Sequence, residues 1–150
     1  MDRDEKFALE RAKLEKWARA QLELCGQYVQ ENSLITAEAR GRAGWMLPGR
    51  LFIGHLTSKL NPDLSYWVIL GPDALQDHIE TRLADTARAA ARHFVLRWQL
   101  HGAQAGTLGK PTAAGEQGTD WQARAADLSS KAEELFAYAE QDPLWPNEVA

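Results

Sequence analysis

The five residues Tyr66-Trp67-Val68-Ile69-Leu70 constrain this chain more than any other stretch. Each is aromatic, aliphatic or β-branched, the types that suit a pleated surface. An unbroken apolar run of that length points to a strand buried on both faces. Gly71-Pro72 stops it, because proline has no amide hydrogen to give to a ladder. A polar connector with Asp73, Asp77, His78 and Glu80 follows. Asp85 then offers a short carboxylate as N-cap. Beyond it Ala87, Ala90, Ala91, Phe94, Val95 and Trp98 recur at helical spacing as one apolar stripe. Arg88, Arg92 and Arg97 fall off that stripe, and His101-Gly102 reads as the stop. Trp67 and Phe94 are therefore expected deep in the core.

The rest of the chain supplies partners for this strand and helix. Residues 3–31 carry a long helical pattern with Phe7, Leu14, Trp17, Ala18, Leu24, Cys25 and Tyr28 near one face. Asn32-Ser33 interrupts it, Leu34–Glu38 is expected as a short edge strand, and Gly41 and Gly44 suggest a loop. Arg50–Ser58 reads as a strand after the Pro48-Gly49 turn, and Asn61-Pro62-Asp63 turns it into the strand at 65–70. Residues 102–118 are rich in Gly, Ala and Thr and are expected to be a flexible connection within one domain spanning 1–150. Thr119 and Gln122 form a capping box for a last helix, on which Trp121, Ala125, Leu128, Ala132, Leu135, Phe136 and Ala139 share a face. Leu144-Trp145-Pro146 is expected to fold back onto the core. The sum is an α+β fold: a small antiparallel sheet of two or three strands covered by about three helices.

Composition narrows the function classes. A formal net charge of −4 disfavours nucleic acid as a partner, whose phosphates demand a basic face. The only cysteine, Cys25, excludes an intrachain disulfide and fits a reducing compartment. The charged start MDRDEKFALE lacks the apolar core of a signal peptide, and no run approaches the ~20 apolar residues of a membrane span. A cytoplasmic protein with no membrane association is the expectation.

Chemical motifs are scarce. The histidines His55, His78, His93 and His101 form no metal-binding spacing with each other or with Cys25. No GxSxG elbow and no GxGxxG after a strand is present, so no cofactor is implied. The segment 106–110 fails the spacing of a phosphate loop. One constellation survives: the acidic turn 73–80, where Asp77 and His78 could act as a metal ligand or acid–base pair of a small hydrolase.

Three groups of residues carry a resemblance. Trp67, Ile69 and Gly71 make a W-x-I-x-G strand, with Asp77 in the acidic turn after it. Phe94, Arg97, Trp98 and Gln99 make an F-x-x-R-W-Q helix, and Asp142, Leu144 and Trp145 a closing D-x-L-W. Over roughly residues 45–145 the chain resembles a small bacterial family, one of the domains of unknown function numbered in the forty-eight hundreds. It departs from that pattern at Pro72, where an acid is expected, and in a longer glycine-rich loop. The resemblance implies an α+β fold and no activity.

The expected function is therefore a non-enzymatic protein-binding domain, such as an immunity protein or an adaptor, with the small hydrolase as the alternative. The partner is another protein or a second copy of the chain through its first helix. Trp17, Trp45 and Trp145 are the candidate anchors, since tryptophan is enriched among interface hot spots, although each also suits a core. Arg88 and Arg92 are candidates for a carboxylate-bearing partner, because guanidinium binds that group bidentately.

Overall fold

A computed structural model describes residues 2–108 and 115–146, with side chains for all of these except 105–108 and 115–122. Helix α1 runs from Arg3 to Glu31, as its sequence pattern predicts. Asp2 starts it by accepting a hydrogen bond from the Glu5 amide at 2.8 Å. Asn32 ends it, and Ser33 turns the chain away with a positive φ of 56°. Every residue from Arg3 to Lys16 is exposed; burial begins at Trp17 and is complete at Cys25 and Val29.

The sheet has four antiparallel strands in sequential order: β1 Ala39–Leu47, β2 Leu51–Ser58, β3 Ser65–Leu70 and β4 Asp77–Glu80. The expected two or three strands are thus corrected to four. The segment Leu34–Glu38 precedes β1 rather than forming a strand of its own. Glycines 41 and 44 lie inside β1 instead of in a loop, because neighbouring side chains fill the space a Cβ would need. At Gly44 it would stand 2.6 Å from Cζ3 of Trp67. The connector after β3 closes into β4, whose Ile79 pairs with Trp67 and is buried.

Alternation along the strands sends Phe52 and Leu56 of β2 and Val68 and Leu70 of β3 to the face that α1 covers. There they meet Cys25, Val29 and Ile35. Gly54 lies between them: a Cβ would come within 2.9 Å of the Cys25 sulfur. Gly71 ends β3 with φ +132°, where a Cβ would stand 2.2 Å from the Arg50 carbonyl oxygen, so only glycine fits. Trp67 is 3 % exposed and Phe94 0 %, both buried as expected.

The chain divides into two compact units, Met1–Leu83 and Ala84–Ala150. The second is a helical hairpin of α2 (Ala87–Leu108) and α3 (Gly115–Ala139), followed by a 3₁₀ turn over Asp142–Leu144. Thr86, not Asp85, caps α2: its hydroxyl accepts from the Ala89 amide at 3.1 Å. The stretch 102–118 is helical over 102–108 and 115–118, and the six residues between lie outside the described ones. Gly102 explains how α2 continues through it. This residue sits against α3, where a Cβ would find Ser129 Oγ at 3.0 Å and Leu128 Cβ at 3.4 Å. Because α3 begins at Gly115, Thr119 and Gln122 are within the helix and do not start it. Trp121 falls outside the described side chains. Buried on the hairpin are Ala90, Phe94, Val95 and Trp98 of α2 and Ala132, Leu135 and Ala139 of α3. Phe94 and Trp98 stack at 5.9 Å.

Candidate interaction surface

The acidic turn does not assemble a site. Asp77 and His78 are successive residues of β4, so their side chains leave opposite faces of the sheet. Asp77 accepts a bond from the backbone amide of His78 at 2.8 Å. The His78 ring belongs to α1's side: its Nδ1 is 2.8 Å from the Tyr28 hydroxyl, and Tyr66 meets it edge-on at 5.7 Å. Asp73 pairs with Arg50 at 3.1 Å and Glu80 with Arg82. Four groups expected to converge thus answer four different partners. Among the described residues no three His, Cys, Asp or Glu side chains come close enough to hold a metal ion.

A polar cluster not foreseen in the sequence lies at the other end of the sheet. Ser65 Oγ is 3.1 Å from His55 Nε2 and 3.1 Å from Thr57 Oγ1, and accepts a 2.8 Å bond from Thr81 Oγ1. Burial, and secondly the charge of Arg42, hold the His55 imidazole below its ordinary pKa. Serine beside a neutral imidazole is the start of a nucleophile–base pair. Here, however, Ser65 also receives a threonine hydroxyl on the oxygen that would attack. The geometry describes a closed hydrogen-bond network joining β2, β3 and the turn after β4. Cys25 is no better placed as a nucleophile: burial pushes its thiol up to about 12, against a smaller opposing effect of a hydrogen bond with the Gly54 backbone.

The candidate partner-binding residues divide. Trp145 is 2 % exposed and donates its indole N–H to the Tyr138 carbonyl at 3.0 Å. Arg88 is also 2 % exposed: Nε bonds the Ala139 carbonyl at 2.9 Å and a terminal nitrogen bonds Asp142 at 2.6 Å. Both tie down the end of α3 and leave no surface to offer. Trp17 is half-buried and meets Phe52 edge-on at 6.1 Å. Trp45 is half-buried on β1 opposite Ile53.

Arg92, half-buried like these two tryptophans, lines a groove of 230 Å³ along the α2–α3 seam with Val95, Leu96, Gln99, Phe136 and Glu140. The floor is apolar, with Leu96 66 % and Phe136 52 % exposed, and Leu100, one turn on along α2, 58 % exposed. Arg92 and Glu140 close one end through a 3.1 Å ion pair. Such a half-exposed pair contributes only about 0–1 kcal/mol, so either side chain can turn to another partner at small cost.

Leu96 and Leu100 lie outside the apolar stripe of α2, and Phe136, expected on the shared face of the last helix, is 52 % exposed instead. Leu96 and Leu100 form a second apolar row four residues apart, beside the row of Phe94 and Trp98. Phe136 follows Leu135, one residue or about 100° around the helix from the buried stripe. More than one apolar row on an α-hairpin is the sequence signal they leave.

A family model, Domain of unknown function (DUF4826), matches residues 11–145. No curated protein and no solved structure matches the chain.

Proposed function

Because the chain belongs to the DUF4826 family, whose description assigns no activity, its role has to be read from geometry, and we propose that it is a non-enzymatic, cytoplasmic protein-binding domain. It receives an amphipathic helix of its partner in the α2–α3 groove, as an adaptor or an immunity protein would. The observation that carries this reading is the apolar lining left in water: Leu96 and Phe136, both more than half exposed, line the groove, and Leu100 is more than half exposed one turn on along α2. Soluble monomers rarely leave a contiguous apolar patch uncovered without a use for it. A groove between two helices suits an incoming helix with apolar residues three, four and seven apart. Arg92 and Glu140 at its end favour a helix that carries both signs of charge. Its single cysteine, buried and free, is in keeping with a reducing compartment. Among the described residues, no helix is long and apolar enough to cross a membrane.

Affinity capture from the native host tests this, with wild type beside Leu96→Asp and Phe136→Asp, and light scattering to give the mass of the isolated protein. A partner retained by wild type and lost by both variants is the expected result. A dimer that both variants dissociate makes the partner a second copy of the chain. A chain that captures nothing and stays monomeric, but hydrolyses a substrate with activity lost in Asp77→Ala, overturns the proposal.

A further inference from the structure

The first strand of the sheet is a surface of a different kind. Among the described residues, β1 is hydrogen-bonded to β2 along one side and to no strand on the other. Its residues 40–43, Arg-Gly-Arg-Ala, are all exposed. An open strand edge presents unpaired backbone groups to any extended chain. Bulky side chains would screen that edge, but here Gly41 and Ala43 alternate with the arginines. The β1–β2 register shifts between Ala43 and Trp45, so the regular run ends just past this stretch.

Charge decides what such an edge accepts. Arg40 and Arg42 are two apart and share a sheet face, opposite Thr57 and His55 respectively. Neither forms an ion pair among the described residues. Glu38, two residues before Arg40, is engaged by Lys59 at 2.6 Å. Arg42 instead lies over the Trp67 ring, 6.0 Å from its centre. This edge is thus locally positive on a chain whose net charge is −4. Pairing with β1 of a second copy would bring arginines into cross-strand contact with arginines, and like charges opposite one another destabilise a ladder. The same pair would attract carboxylates at alternate positions of an added strand.

We propose that β1 is a docking edge for an extended acidic peptide segment of another protein, which adds antiparallel or parallel to residues 39–43 with carboxylates beside Arg40 and Arg42. Backbone hydrogen bonds hold the segment, and the two guanidinium groups select its charge. The assignment is independent of the α2–α3 groove, which lies in the other unit.

The test uses the full chain and two seven-residue peptides, one alternating glutamate with valine and one alternating lysine with valine. Calorimetry should show saturable binding of the acidic peptide, at least tenfold tighter than the basic one and weakening with added salt. The double variant Arg40→Glu/Arg42→Glu should reverse that preference while keeping the circular dichroism spectrum of the wild type. Amide exchange should slow at residues within 39–43 on binding. N-methylation of alternate peptide amides should abolish the effect, which simple charge attraction would not. Equal binding of the two peptides, no binding at millimolar concentration, or exchange protection confined to α2 and α3 would each overturn the proposal. So would a wild-type dimer whose interface protects β1.

Discussion

In the unit of residues 1–83, the side chains with chemical capacity answer one another. Ser65 meets His55 and two threonines, His78 meets Tyr28, Asp73 meets Arg50 and Glu38 meets Lys59. In the unit of residues 84–150 Arg88 pairs with Asp142 and Arg92 with Glu140, while the buried Nδ1 of His93 meets no hydrogen-bond partner among the described residues. Leu96, Leu100 and Phe136 face water on a hairpin that already has a core of Phe94, Trp98 and Leu135. Imidazoles, hydroxyls and carboxylates draw attention first, yet in the sheet they serve as cross-links. Both units leave apolar side chains in water, Phe7 and Leu60 in the first and Leu96, Leu100 and Phe136 in the second, and on the hairpin two of them, Leu96 and Phe136, line a groove.

The largest effect that sharpens this contrast comes from two neighbours on α2. Phe94 is 0 % exposed and stacks on Trp98, so Phe94→Ala should cost ~3–5 kcal/mol in urea denaturation, the usual range for deleting a buried aromatic ring. A change within ~0.5 kcal/mol would put Phe94 at the surface and erase the distinction between the two rows.

The sheet has a matching limit in the opposite sense, since its seam with α1 is filled. Gly54→Ala would place a Cβ 2.9 Å from the Cys25 sulfur and 3.2 Å from a Phe52 ring carbon. Both neighbours are fully buried, so overpacking should cost ~1–3 kcal/mol. Equal stability of this variant would show that α1 can lift from the sheet freely.

How far the sequence carries depends on whether local pattern or tertiary contact decides an element. α1, β2, β3 and the apolar stripe of α2 are legible because propensity, periodicity and turn residues agree along each. β1 is not, because Gly41 and Gly44 look like loop residues until Leu22, Leu56 and Trp67 are seen to fill their Cβ space. β4 is four residues long with one buried side chain, Ile79, and exists through its pairing with β3. Gly102 ends a helix in sequence and packs one in structure. For the candidate surface, Arg92 was legible as a charged residue off the stripe. Arg88, with the same signal, is buried against the end of α3, which only the fold can bring to it. Asp77-His78 reads as a pair in a turn and becomes two opposite faces once the turn is a strand.

A smaller effect tests whether the His55 network is structural. Burial first, and Arg42 second, depress the folded pKa of His55. A base with a depressed folded pKa adds stability that is fully present above the ordinary imidazole range of about 6.5. As pH falls below that range the unfolded chain takes up the proton first, and the contribution is lost as pH drops through the folded value. The melting temperature of wild type should therefore fall more steeply between about pH 7 and pH 5 than that of His55→Gln. All other groups titrate in both proteins, so the difference between the curves isolates this imidazole. Parallel curves would mean that His55 is protonated as easily in the folded chain as in the unfolded one, and the network would lose its neutral acceptor.

The smallest effect on stability is the one that bears most on function. Leu96 is 66 % exposed and Phe136 52 % exposed, so most of each side chain meets water in the folded chain as in the unfolded one. Leu96→Ser and Phe136→Ser should each change unfolding free energy by no more than about 0.5 kcal/mol. Against a partner helix the exposed half to two thirds of each side chain would be buried, which contributes roughly 1–2 kcal/mol each. Affinity should then drop by about five- to thirtyfold per substitution, with the fold intact. Denaturation and binding measured on one preparation separate these two quantities. A loss of about 2 kcal/mol or more in stability would mean that the protein itself covers these residues in solution. Unchanged stability with unchanged binding would move the partner off the hairpin, and the uncovered leucines would then contribute neither to fold nor to recognition.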